Sequence, residues 1–176
     1  MKVRNHMMIR FLFSVVLAFG VLSCSSPQPD AQKSKKYDIR ERSIENKAPD
    51  FALKDLKGGD VRLSDYKNRP VLLVFSTTWC KYCREEIHHI KSLYSTYGKK
   101  DLEIINIFVQ EPAGKVAAFA DKYALPYRVA LDSDGHVAEL YDVKGVPTLI
   151  LLDREGRVVC YTCRSIDTLL KDVFPG

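Results

Sequence analysis

The sequence predicts an α/β fold in which a mixed central sheet is flanked by helices. Two runs rich in β-branched and large apolar residues, 71–75 and 102–109, have the composition of buried strands. Between them, residues 81–97 carry apolar side chains at helical spacing, and Gly98 follows as a helix-ending residue. A strand, a helix and a second strand form a βαβ unit, in which the strands pair in parallel through a right-handed crossover.

The residues on either side of this unit complete the sheet. The pair Gly58 and Gly59 lies between two short apolar segments, as in a hairpin turn, and Pro126 ends a helical pattern before a short strand. The remaining predicted elements are an N-terminal β-hairpin, a helix–strand insertion, an antiparallel strand pair and a final helix, at 51–63, 111–131, 149–161 and 166–173.

The first 23 residues have the pattern of a secretory signal. A basic start precedes the apolar run 11–22, which is shorter than the about 20 residues that span a bilayer. The residues up to Cys24 resemble a bacterial lipobox, which implies cleavage before Cys24 and lipidation of its sulfur. Cleavage without a lipid and an uncleaved anchor are the alternatives. We expect a lipoprotein signal peptide at 1–23, a flexible tether at 24–46 and a folded domain at 47–176.

Composition and charge exclude one class of partner. The chain is 46% hydrophobic and 28% charged with a net charge of +5, which is the balance of an ordinary folded domain. No basic run is interleaved with aromatic residues, so nucleic acid is not an expected partner. The N-terminal signal predicts an exported protein, lipid-anchored to a bacterial membrane and facing the periplasm or the cell exterior. Cysteine pairs in those compartments meet oxidising conditions.

The sequence Trp79-Cys80-Lys81-Tyr82-Cys83 predicts a redox centre. It follows a buried strand and opens a helix, where free backbone N–H groups and the helix dipole favour the thiolate form of Cys80. Cys83, one turn later, lies within disulfide reach and can resolve a mixed disulfide. The alternatives are one half of a zinc site and two unpaired buried cysteines.

Glu86 is the third candidate catalytic residue. On a helical wheel it falls within the apolar arc that also contains Cys83, whereas its neighbour Glu85 falls outside that arc. We therefore expect a buried carboxyl group, with a raised pKa, that exchanges the proton of Cys83. The alternative is a glutamate favoured only by the helix dipole.

These motifs together resemble the TlpA/ResA-like thiol-disulfide oxidoreductases of the thioredoxin superfamily. The residues that carry the resemblance are the segment 48–51 (Ala-Pro-Asp-Phe), the motif from Trp79 to Cys83 with Glu86, and the segment 145–148 (Gly-Val-Pro-Thr). The resemblance implies a thioredoxin-like fold with a cis proline at Pro147. It also implies that Cys80 attacks, that Cys83 resolves and that Trp79, Val146 and Pro147 contact the substrate.

The same resemblance implies the partners. They are a protein disulfide substrate, with apocytochrome c in cytochrome c maturation as one case, and a membrane electron donor such as a thiol-reducing transmembrane protein. No cofactor beyond the redox-active Cys80–Cys83 disulfide, and no metal, is expected.

Cys160 and Cys163 form a second C-x-x-C sequence that this family pattern does not contain. In a straight strand their Cα atoms would be about 10 Å apart on opposite faces, too far for a disulfide without a bend. The strand is expected to end here, so we favour a disulfide with a structural or auxiliary redox role. A metal site built from all four cysteines and two free thiols are the alternatives.

Two other functions fit parts of the sequence. Thr77 precedes Cys80 by three residues, as in peroxiredoxin-like peroxidases, but Leu73 stands where that chemistry expects a proline. A copper-delivery module would combine the cysteines with a histidine. His88 and His89 are predicted to point away from the core face of their helix, as surface histidines do.

Overall fold

A computed structural model describes residues 47–174. The signal peptide and the tether predicted above, including Cys24, lie outside these described residues. No helix within 47–174 has the length and apolar character needed to cross a membrane. In chain order, the strands are β1 (Ala52–Asp55), β2 (Asp60–Arg62), β3 (Val71–Ser76), β4 (Glu103–Val109), β5 (Arg128–Asp132), β6 (Thr148–Leu152) and β7 (Val158–Tyr161). The helices are α1 (Lys81–Tyr97), α2 (Ala113–Lys122), α3 (His136–Leu140) and α4 (Ile166–Val173), with 3₁₀ turns at Leu63–Tyr66 and Gly98–Lys100.

The seven strands form one mixed sheet in the order β2-β1-β5-β4-β3-β6-β7. The predicted βαβ unit is β3-α1-β4, whose strands pair in parallel, and β5 pairs in parallel with β4. The hairpin β1-β2 adds to the sheet through an antiparallel pairing of β1 with β5. The fold class, the hairpin and the helix–strand insertion predicted from the sequence are therefore confirmed.

Every residue of β3 is buried because helices cover both faces of the sheet. Val71, Leu73 and Phe75 pack on the side of α3, where Tyr141 is fully buried. The alternate residues Leu72 and Val74 pack with apolar side chains of α1 and α4. Burying a side chain of this size contributes about 1.5–3 kcal/mol, so β3 is held firmly between the two layers.

Two loops meet at one end of the strands. Strand β3 ends at Ser76, next to the residue where β6 begins, since Phe75 pairs with Thr148 in the antiparallel β3–β6 ladder. The loop after Ser76 leads to Cys80, and the loop before Thr148 contains a cis peptide bond between Val146 and Pro147. The sheet thus places the first C-x-x-C sequence beside this proline.

Candidate active site

Cys80 occupies the N-cap position of α1. Its backbone is extended, and its Sγ accepts a hydrogen bond of 3.1 Å from the backbone N–H of Cys83. A helix N-terminus carries unpaired N–H groups and partial positive charge, both of which stabilise a thiolate. The thiol also donates a hydrogen bond of 3.5 Å to the carbonyl oxygen of Val146. The nucleophile predicted from the sequence therefore lies at the helix start and faces the proline loop.

Cys83 lies one turn further along α1, on its buried face. Burial, followed by the hydrogen bond with Cys80, raises the pKa of the Cys83 thiol to about 12. Cys83 is consequently protonated at neutral pH and must give up its proton before it attacks Cys80. The two cysteines form no disulfide with each other in the structure.

Two exposed aromatic side chains lie close to Cys80 in the chain. The side chains of Trp79 and Tyr82 are each 68% exposed, although Cys80 between them is only 6% exposed. Val146 and Pro147 of the facing loop are half-buried. Exposed aromatic residues at the rim of a buried reactive group are typical of sites that contact another protein.

A buried carboxylate holds the loop that precedes Cys80. Glu111, at the end of β4, is 5% exposed and accepts hydrogen bonds from the backbone N–H of Thr78 at 2.5 Å and from its hydroxyl at 2.6 Å. Lys115 also donates to Glu111, at 2.8 Å, and Arg84 of α1 donates to the Thr78 carbonyl at 3.0 Å. Burial alone would raise the pKa of Glu111, but the hydrogen bonds from Lys115 and Thr78 hold it below its ordinary value.

The prediction that Glu86 is buried is wrong. Its side chain is 32% exposed, and its carboxylate oxygen lies 2.6 Å from Nδ1 of His89, one turn further along α1. The reason is its place at the edge of the apolar arc, where a partner on the solvent side can draw the carboxylate outwards. Its role in proton exchange with Cys83 stays a prediction.

His89 differs from the surface histidine that the sequence predicts. Its ring is 35% exposed, and Nε2 lies 2.9 Å from a carboxylate oxygen of Asp167 at the start of α4. Burial alone would lower the pKa of His89, but the hydrogen bond to Glu86 and the charge of Asp167 raise it above its ordinary value. His88, the preceding residue, is exposed as expected.

Cys160 and Cys163 are joined by a disulfide in the structure. Thr162 between them has a left-handed backbone (φ 53°), and this bend at the end of β7 reduces the Cα–Cα distance to 5.5 Å. Both cysteines are half-buried against apolar residues of α1 and α4. Within residues 47–174, no group of three or more potential ligand side chains is arranged to hold a metal ion.

A family model described as AhpC/TSA matches residues 44–160, which is more than half of the chain. The chain belongs to the AhpC/TSA family. Similar proteins include the thiol-disulfide oxidoreductase ResA of Geobacillus kaustophilus, with 40% identity over 66% of this chain and 67% of that protein. The ResA of Bacillus cereus is 32% identical over 98% of this chain and 99% of its own length.

Solved structures of other proteins have a similar fold. A protein from Chlorobium tepidum described as a thiol:disulfide interchange protein DsbE has a TM-score of 0.66 and 31% identity, covering 74% of this chain and 94% of that one. A protein described as a disulfide isomerase, from Bacteroides thetaiotaomicron, has a TM-score of 0.68 and 28% identity, with coverages of 76% and 91%. The predicted resemblance to ResA-like, thioredoxin-fold proteins is confirmed.

This AhpC/TSA-family chain is a thiol-disulfide oxidoreductase, and its geometry accounts for the chemistry. The Cys80 sulfur can attack a substrate disulfide, forming a mixed disulfide and releasing one substrate sulfur as a thiolate. The Cys83 sulfur can then lose its proton and attack Cys80, which forms the Cys80–Cys83 disulfide and releases the second substrate thiolate. In this direction the two electrons pass to the substrate, whose thiolates take up protons.

Proposed function

We propose that this protein is an exported reductant of protein disulfides, held at a bacterial membrane through lipidated Cys24. The main support is the position of the Cys80 sulfur at the start of α1, 3.5 Å from the Val146 carbonyl and beside exposed Trp79. A buried thiol with exposed apolar residues around it is accessible to a segment of another protein. The basic, apolar and lipobox residues up to Cys24 support export and anchoring.

Apocytochrome c, before haem attachment, is the proposed substrate. The support is the similarity to proteins named ResA and to one described as DsbE, together with the family resemblance carried by the motif from Trp79 to Cys83. A membrane protein that transfers thiol electrons from the cytoplasm is the proposed donor, because no reducing pool is expected outside the inner membrane.

Reduction of a defined peptide tests the substrate. The purified protein would be mixed with a peptide that contains a Cys-x-x-Cys-His disulfide, and with insulin as a general disulfide substrate. We expect kcat/KM for the peptide to exceed that for a peptide of the same composition in scrambled order by about tenfold, which corresponds to about 1.4 kcal/mol. Equal rates with both peptides and with insulin would contradict the substrate proposal and leave the oxidoreductase activity in place.

Cell fractionation tests the anchor. Wild-type protein should be found in the membrane fraction, whereas Cys24→Ala should move to the soluble extracytoplasmic fraction or remain as an unprocessed precursor. Ser25→Ala is the matched control and should stay with the membrane. A Cys24→Ala protein that is cleaved at the same residue and remains on the membrane would contradict lipid anchoring at this position.

A further inference from the structure

The imidazole of His89 links two helices through both of its ring nitrogens. Nδ1 lies 2.6 Å from the carboxylate of Glu86 on α1, and Nε2 lies 2.9 Å from the carboxylate of Asp167 on α4. These two carboxylates are the charged groups that face the ring, one from its own helix and one from the helix packed beside it. A doubly protonated ring donates to both carboxylates, whereas a neutral ring has one proton for the two.

The resolving cysteine lies on the same helix, one turn before Glu86. Residues three apart on a helix are neighbours, with about 5–6 Å between their Cβ atoms, so Glu86 neighbours Cys83 on one side and His89 on the other. Cys83 has a pKa of about 12 and requires a proton acceptor when it attacks Cys80. A carboxylate one turn away is such an acceptor, provided that it is not already occupied by a donor.

We infer that His89 is a positioning residue for the resolving step and that it controls, with Asp167, when Glu86 accepts the proton of Cys83. While the ring is doubly protonated, its Nδ1–H donates to Glu86 and occupies that carboxylate. After the ring loses one proton, the remaining proton stays on Nε2 and bonds to Asp167. Nδ1 then becomes an acceptor, so a proton that Glu86 takes from Cys83 is held between the Glu86 carboxyl group and Nδ1.

The reaction balances without another reagent. The Cys83 sulfur forms a bond to the Cys80 sulfur, the bond from Cys80 to the substrate sulfur breaks, and the substrate leaves as a thiolate. The proton of Cys83 passes to the Glu86–His89 pair and from there to the departing thiolate or to water. The electron pair of the broken bond remains on the substrate sulfur.

The two steps can be measured separately with dithiobis(nitrobenzoate). Attack by Cys80 releases the first coloured nitrothiobenzoate ion and leaves the second bound to Cys80, from which Cys83 then displaces it. The experiment would use the reduced full chain carrying Cys24→Ser, followed by stopped flow between about pH 5 and 9. The same chain with Cys80→Ser and Cys83→Ser gives the signal of the other thiols, which is subtracted.

The second release should accelerate with pH around the same midpoint that NMR gives for the His89 ring. Asp167→Asn, at a side chain that is 62% exposed, should move both midpoints down by about half a pH unit, the size expected of one exposed charge partner. His89→Gln should remove this inflection. His88→Gln, at an exposed histidine on the same helix, is the matched control and should leave the profile of the second release unchanged.

Each outcome separates the inference from the activity itself. A second release whose pH profile is the same in wild type, Asp167→Asn and His89→Gln would overturn the role of His89. Equal changes in the first and second releases would also overturn it, because they would indicate a general loosening of α1. Absence of any release attributable to Cys80 and Cys83 would instead contradict the oxidoreductase activity. If His89→Gln does not fold, Asp167→Asn alone decides.

Discussion

The chain contains two C-x-x-C sequences at the ends of strands, and the two have different backbones. Cys80 ends a loop and caps α1, so the N–H of Cys83 points at its sulfur. Cys160 lies at the end of β7, where left-handed Thr162 turns the chain and the two sulfurs are joined. The first pair has a free thiol beside an exposed aromatic surface, and the second is closed and packed against helices.

The comparison shows that spacing does not determine what a cysteine pair does. A helix start supplies partial positive charge and N–H groups, one of which bonds to the sulfur of Cys80. A strand end supplies neither, because its N–H groups pair with the neighbouring strand. Two residues after β7, the N–H of Cys163 donates to the carbonyl of Leu149 rather than to a sulfur. We therefore assign exchange to the first pair and cross-linking to the second.

The largest expected effect separates the two pairs by activity. Cys80→Ser should lower insulin reduction more than about 100-fold, because the hydroxyl group is a poor nucleophile and cannot form a disulfide. The matched double variant, Cys160→Ser with Cys163→Ser, should keep its rate within about twofold. An inactive double variant that remains folded would contradict the comparison and make the second pair part of the electron path.

The next effect concerns the carboxylate that holds the Cys80 loop. Glu111→Gln replaces acceptors of the Thr78 hydrogen bonds with an amide, and should lower the free energy of unfolding by about 3 kcal/mol. Urea denaturation measures this free energy. The control is Glu85→Gln, at an exposed ion pair with Lys81, which should change the free energy of unfolding by less than about 0.5 kcal/mol. A Glu111→Gln protein as stable as wild type would show that this carboxylate does not hold the loop.

The Glu111 carboxylate should also make the folded protein less stable in acid. The pKa of Glu111 is depressed in the folded protein, so its contribution to stability is complete above its unfolded pKa of about 4.3. That contribution is lost as the pH falls through the folded pKa. Unfolding measured between about pH 2 and 6 should therefore show a steeper acid loss in wild type than in Glu111→Gln, and parallel curves would contradict this assignment.

Removal of the second disulfide should cost stability. The bond closes a loop of only three residue steps, and loop-closure entropy at that length amounts to about 2 kcal/mol. Thermal unfolding of the Cys160→Ser, Cys163→Ser protein measures the loss against reduced and oxidised wild type. If the oxidised wild type and the double variant unfold at the same temperature, the disulfide does not cross-link the native state in solution.

The smallest effect concerns the apolar surface. Tyr82→Ala should raise KM for insulin about threefold and leave kcat unchanged, because an exposed aromatic contact contributes about 0.6 kcal/mol to protein binding. Val159→Ala, which removes an exposed apolar side chain next to the second cysteine pair, is the control and should leave KM unchanged. Equal effects of the two substitutions would show that the aromatic surface does not bind the substrate.

Local patterns in the sequence predict most of the fold. The apolar runs of β3 and β4, the helical spacing of α1 and the glycine turn of the hairpin all correspond to elements of the structure. The position of Cys80 follows from the same reasoning, since a strand that leads into a helix places the intervening cysteine at the helix start. These predictions depend on residues that are close in the chain.

The contacts around the site depend on residues that are far apart. Thr78 and Glu111 are 33 positions apart, and His89 and Asp167 are 78 apart, so no local periodicity relates them. A helical wheel gives only the direction in which Glu86 leaves the helix. It does not show that His89 pairs with the carboxylate on the solvent side. An acidic residue two positions after the apolar run of β4 was the available signal for Glu111, because strands β3 and β4 finish at the same end of the sheet.

The isolated bridge between Lys47 and Arg157 fixes where the chain joins the sheet. Lys47 pairs with Arg157 next to the start of β7, at the end of the sheet opposite the two site loops. Strand β3, with six residues, spans about 20 Å between those ends. Lys47 and the reactive sulfur of Cys80 therefore lie at opposite ends of the sheet, separated by about the length of β3.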